Sequence, residues 1–101
     1  MLEAAIDETT TVLMLCNPHN PTGRVFTVDE LTAIADVAER HDLLVIADEI
    51  HQDLLHDENV HEVFARVAPN VAARTITITS ASKSFNLAGN RCAVILSLIH
   101  I

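Results

Sequence analysis

Six side chains stand out along this chain for what they do in combination: the amine of Lys83, the carboxylate of Asp48, the hydroxyls of Ser80 and Ser82, the guanidinium of Arg91 and the amide of Asn20. A lysine amine adds to a carbonyl carbon and moves a proton once released. Hydroxyls and a guanidinium donate to an anion such as a phosphate, and a carboxylate makes a charge-assisted bond to a protonated ring nitrogen, roughly twice as strong as a neutral one. Each residue alone has a plainer use. Lysines on turns are mostly solvated, an Asp after a strand commonly caps a helix, a surface Arg contributes about 0–1 kcal/mol through an ion pair, and serines shape turns. The argument for a site therefore rests on where the six are placed.

The elements that place them follow from the apolar pattern. Thr11 to Cys16 reads as a buried strand that runs into the turn-rich stretch Asn17-Pro18-His19-Asn20-Pro21-Thr22-Gly23. Thr27 with Glu30 three residues on is a capping box, and Leu31, Ile34, Ala35 and Ala38 recur at helical spacing up to Arg40. Leu43 to Ala47 reads as a second buried strand, which completes a strand, helix and strand unit of the length a parallel crossover needs. Short helical turns are predicted within Ile50 to Leu55 and Val60 to Val67, then a β-branched strand from Arg74 to Ser80 and a fourth apolar run from Arg91 to Ile95. Buried strands alternating with crossover helices specify an α/β fold with a mostly parallel sheet. In such folds ligands gather at the carboxyl ends of the strands. Asn20, Asp48 and the Ser80 to Lys83 turn follow the first, second and third strands in that way.

Composition narrows the class. Half of the 101 residues are hydrophobic but only three are aromatic, all Phe, so the core must be aliphatic. The formal net charge of −8, with six scattered Lys and Arg, excludes a phosphate-neutralising nucleic-acid surface. Cys16 and Cys92 form no disulfide framework, no apolar run is long enough to span a bilayer, and the acidic N-terminus lacks the basic region of a signal peptide, so a soluble cytoplasmic protein is expected. With only Gly23 and Gly89 there is no glycine-rich phosphate loop, which removes the nucleotide-binding α/β domain as a reading. His51, His56 and His61 recur every five residues, a spacing that matches no metal pattern, so no metal site is expected. His19, His41 and His56 read as solvated.

The six side chains match what pyridoxal phosphate (PLP) demands of a protein: an amine for its aldehyde, an anion for its pyridine nitrogen, donors for its phosphate and a donor for its phenolic oxygen. Lys83, Asp48, the set Ser80, Ser82 and Arg91, and Asn20 fill these roles in turn. Three blocks, Asn20-Pro21-Thr22-Gly23, Asp48-Glu49-Ile50-His51 and Ser80-Ala81-Ser82-Lys83 with Arg91 eight residues on, resemble the fold type I PLP enzymes of aminotransferase class I and II. The resemblance runs from Val12 to about Ile95. It implies that residues 1–95 are part of the large PLP-binding domain of the aspartate-aminotransferase fold, with Lys83 as the catalytic residue. It also implies that His51 contacts the cofactor, its N–H donating to the phenolic oxygen.

Within that family, the stretches CNPHNPTGRVFT, DEIHQDL and SASKSFNLAG are most similar to the cystathionine β-lyase branch of the MalY and PatB type. That likeness implies β-elimination from cystathionine or another cysteine S-conjugate, with Lys83 taking the Cα proton and thiol, pyruvate and ammonia as products. An aminotransferase uses the same cofactor residues and is the nearest alternative; a non-catalytic PLP-binding fragment or regulator domain is the alternative of another class. The family's homodimeric state is implied for a full-length parent, of which this chain is expected to be an inactive piece. Two stretches depart from the family: Asn90 stands where an apolar residue is usual, and residues 96–101, LSLIHI, match the translation of a sequencing-library transposon adapter. The native sequence is accordingly expected to stop near Ile95.

Overall fold

The computed structural model describes residues 2–98. Four strands, β1 (Val12–Cys16), β2 (Leu44–Asp48), β3 (Thr75–Thr79) and β4 (Val94–Ser97), form one sheet in the order β1-β2-β3-β4. β1, β2 and β3 run parallel, and β4 returns antiparallel to β3. The architecture is the expected α/β one, with a mixed, largely parallel sheet and crossover helices.

The helix α1 (Val28–Arg40) makes the first crossover, and its start is fixed locally. Thr27 Oγ1 accepts the Glu30 N–H at 3.2 Å while Glu30 Oε2 accepts the Thr27 N–H at 3.0 Å, so two otherwise orphaned donors are satisfied reciprocally. Leu31, Ala35 and Ala38 line its buried face, and Ile34 packs beside them. They meet Leu13, Leu15, Val45 and Ala47 from alternate positions of β1 and β2. Leu43, Phe64, Ala68 and Val71 complete a buried core that is aliphatic apart from one ring.

The Thr27 N–H holds the Glu30 carboxyl below its usual range of about 4.5, and the Arg24 guanidinium, bonded to the same carboxylate, adds to the effect. A depressed folded value means that the stabilisation is present above the unfolded value and is lost as pH falls through the folded one. Glu30→Gln is therefore expected to lower the melting temperature at neutral pH, with the gap to wild type closing on acidification. Thermal melts followed by circular dichroism at the two pH values check this.

Three elements differ from the sequence expectation. The fourth strand begins at Val94, three residues later than predicted, because Arg91 adopts a left-handed backbone (φ 47°) that a strand cannot contain. Residues 50–55 form hydrogen-bonded turns, Gln52 N–H to Glu49 and Leu54 N–H to His51, with no helix. The predicted helix over Val60 to Val67 is only the turn α2 (Phe64–Val67). Its first N–H is held by the distant Glu49 carboxylate, which sets where the helix starts. Of the expected adapter-derived residues 96–101, Leu96 and Ser97 belong to β4, and 99–101 lie outside the described residues.

Helices cover one face of the sheet. On the other lie Met14, 78 % exposed, and Ile95, 68 % exposed, with Ile46 and Ile76 between them. No helix among the described residues is long and apolar enough to cross a membrane.

Candidate active site

The register brings the strand ends into one row: Cys16 pairs with Asp48, and Asp48 with Ile78. The ladder continues one step beyond, through Asn17 N–H to the Asp48 carbonyl (3.0 Å) and Glu49 N–H to the Ile78 carbonyl (2.8 Å). The loops carrying the predicted site residues therefore leave the sheet along a single edge.

The loop after β1 folds on itself. Asn17, 1 % exposed, accepts the Phe26 N–H at 3.0 Å, while the His19 N–H reaches the Arg24 carbonyl and the Gly23 N–H reaches the His19 carbonyl, both at 2.8 Å. Asn20 is exposed at its tip, and both Asn-Pro bonds are cis. Gly23 has φ +70°, and a Cβ there would sit 3.3 Å from His56 Cδ2. Gly23→Ala meets both the left-handed penalty and that contact, so a loss of about 1–2 kcal/mol is expected in urea unfolding.

Asn20 and His51 line one pocket of about 180 Å³, together with Leu54 and His56. The structure thus joins these two predicted residues across two loops. Asp48 ends β2, half-buried, and its Oδ1 accepts the Ile50 N–H at 3.1 Å. Of the three histidines read as solvated, His41 and His56 are exposed and His19 is half-buried; His19 Nδ1 bonds Thr22 Oγ1 at 2.9 Å, and His41 Nε2 lies 3.1 Å from Glu3. Loop closure makes the first contact, and the packing of the N-terminal turn beside the end of α1 makes the second.

Lys83 lies on the turn α3 (Ala81–Ser84) directly after β3. Ser80 caps that turn, accepting the Ser82 N–H at 3.0 Å, and is itself buried. The hydroxyls of Ser80 and Ser82 both donate to the Cys92 carbonyl. Ser80 thereby braces the turn, and Ser82, less buried and with the longer bond of 3.3 Å, is the freer donor toward a phosphate. Ser84 donates to the Asp53 carboxylate and ties the lysine turn to the segment after β2.

The basic residues divide in an informative way. Arg24, Arg40 and Arg74 are ion-paired, whereas Arg66, Lys83 and Arg91 have no charged partner among the described residues, and of these three Lys83 and Arg91 lie between β3 and β4. An unengaged amine and an unengaged guanidinium near one sheet edge, with a carboxylate on the next strand end, fit the donor set that PLP requires. Among the described residues no group of three or more His, Cys, Asp or Glu is disposed to hold a metal ion.

One acid at this edge escaped the sequence reading. Glu49 is 1 % exposed and bonds His61 and the Phe64 N–H. Strand alternation was the available signal, since an acid directly after a strand-end acid must face the opposite side.

The aminotransferase class I and II family matches residues 1–99. The chain is 43% identical over 94 residues to a cystathionine beta-lyase of Corynebacterium glutamicum, covering 93% of this chain and 25% of that protein. It is 40% identical over 90 residues to an alanine aminotransferase of Mycobacterium bovis, covering 89% and 20%. Among solved structures, cystalysin from Treponema denticola, which contains a pyridoxal 5'-phosphate cofactor, superposes with a TM-score of 0.83 at 42% identity, covering 86% of this chain and 22% of that one. The chain spans about a fifth to a quarter of the length of these relatives.

Proposed function

Because this chain belongs to the aminotransferase class I and II family, we propose that it is part of the PLP-binding domain of a carbon-sulfur β-lyase of the MalY and PatB type. The observation that carries the cofactor reading is the alignment of the β2 and β3 ends, which puts Asp48 and the Lys83 turn on neighbouring strands at one edge. The family likeness and the PLP-containing relative support it.

When bound, PLP supplies an electron sink for bonds at the substrate α-carbon. Lys83 holds the cofactor and moves the Cα proton. Asp48 pairs with the pyridine nitrogen and keeps it protonated through a charge-assisted bond. Ser82 and Arg91 take the phosphate, Ser80 fixes the turn that carries Ser82 and Lys83, and Asn20 with His51 donates to the phenolic oxygen from the walls of their common pocket.

The lyase assignment rests on the DEIH block, with an imidazole at His51, and on the similarity to a cystathionine beta-lyase. The substrate is then cystathionine or a related cysteine S-conjugate, and the whole enzyme is a cytoplasmic homodimer. The alanine aminotransferase at 40% identity favours a second reading, amino transfer to a keto acid. Assaying the whole protein with cystathionine separates the two. Release of pyruvate and thiol without a keto acid supports the lyase; consumption of substrate only when a keto acid is added overturns it. The 101-residue chain alone is expected to bind PLP weakly and to turn over nothing, because it spans so small a share of its relatives.

A further inference from the structure

Asp48 and Glu49 are consecutive acids at the end of β2, and strand alternation turns them to opposite sides. Asp48 stays half-buried at the edge, whereas Glu49 lies on the helical side, 1 % exposed. A carboxylate so buried persists only when it is paired and hydrogen-bonded. Glu49 Oε1 accepts the Phe64 N–H at 2.8 Å, and its Oε2 lies 3.2 Å from His61 Nε2. The His61 side chain is 8 % exposed, and its Nδ1 is buried with no partner among the described residues. The bond to Glu49 is therefore the one polar contact that holds this imidazole among the described residues.

These contacts close a span. Between Glu49 and Phe64 the chain forms no helix or strand, yet it carries His51 into the pocket shared with Asn20. Phe64 itself is fully buried in the core. The carboxylate thus fastens both ends of the span to the same point beneath the sheet edge.

We propose that Glu49 is a positioning residue: locked by His61 and the Phe64 N–H, it fixes the path of the segment that carries His51 and the direction in which Asp48 faces the cofactor. The role rests on the PLP reading above. Glu49 touches neither cofactor nor substrate in this assignment; it acts through its two neighbours.

The test combines PLP titration with hydrogen-deuterium exchange in the whole protein. Glu49→Gln keeps the side-chain volume and the acceptor for Phe64 but removes the charge that holds His61. His61→Leu removes the donor to Glu49, leaves the Phe64 bond in place and carries the same test should Glu49→Gln not fold. In each variant, amides 50–55 are expected to exchange about tenfold faster and PLP affinity to fall about tenfold, with α1 unchanged. The double variant is expected to be no worse than Glu49→Gln alone, since both changes remove one bond. Unchanged PLP affinity in both variants of a PLP-binding protein overturns the positioning role alone. So does a loss of affinity accompanied by equally faster exchange in α1, the mark of a general loss of structure. A wild-type protein that binds no PLP overturns the reading of the site, and the positioning role with it.

Discussion

Lys83→Ala, made in the whole protein, is expected to remove the visible absorbance of bound PLP and to lower turnover by at least about 10²–10⁴-fold, the range for losing a positioned proton-transfer group. Structure should survive the change. Lys83 is exposed on the turn α3, which Ser80 caps, and no ion pair depends on it among the described residues. Alanine is also the best helix former, so the turn has no reason to open. An unchanged melting temperature with a colourless, inactive protein assigns the loss to the amine. A variant that keeps both colour and rate would remove Lys83 from the chemistry and end the present assignment.

Asp48→Asn should separate the two readouts, with cofactor retained and rate lost. Asparagine keeps the oxygen that accepts the Ile50 N–H, so the turn after β2 stays as it is. What disappears is the negative charge. Bonds to charged groups contribute about 1.5–3 kcal/mol against about 1 for neutral ones. With that difference of about 0.5–2 kcal/mol borne on the transition state, the rate falls roughly 2–30-fold while PLP stays bound. Steady-state kinetics beside an absorbance spectrum read both at once. Loss of PLP without loss of rate per bound cofactor would show that Asp48 anchors the ring and does not tune it.

The strands and the long helix were legible because their signals are local. Val12–Cys16, Leu44–Asp48 and Thr75–Thr79 lie within a residue of the apolar runs that mark them, and Thr27 with Glu30 announces α1. The stretch from Ile50 to Val67 was not legible, because a long-range bond decides its shape. Nothing near Phe64 in sequence tells that its N–H belongs to a carboxylate fifteen residues earlier. The late start of β4 has a similar cause, since the left-handed turn at Arg91 is imposed by the return of the chain and not by residue preference.

For the candidate site, residue types and strand ends could be read from the chain, and with them the roles assigned to Lys83 and Asp48. The pairing of Asn20 with His51 in one pocket depends on two loops meeting, which no local pattern encodes. The Cys92 carbonyl, which engages both Ser80 and Ser82, was hidden for the same reason.

The two adjacent acids at the end of β2 have nearly the same chemistry, and parity along the strand decides which of them serves which compartment. Deleting a single residue inside Leu44–Asp48 would exchange their assignments, because each step along a strand reverses the direction of every side chain after it. The longer acid would then meet the solvent edge and the shorter one would be driven against His61 and Phe64, too short to reach both. An in-frame loss of one codon here is thus far more damaging than replacing Leu44, Val45, Ile46 or Ala47 with another apolar residue.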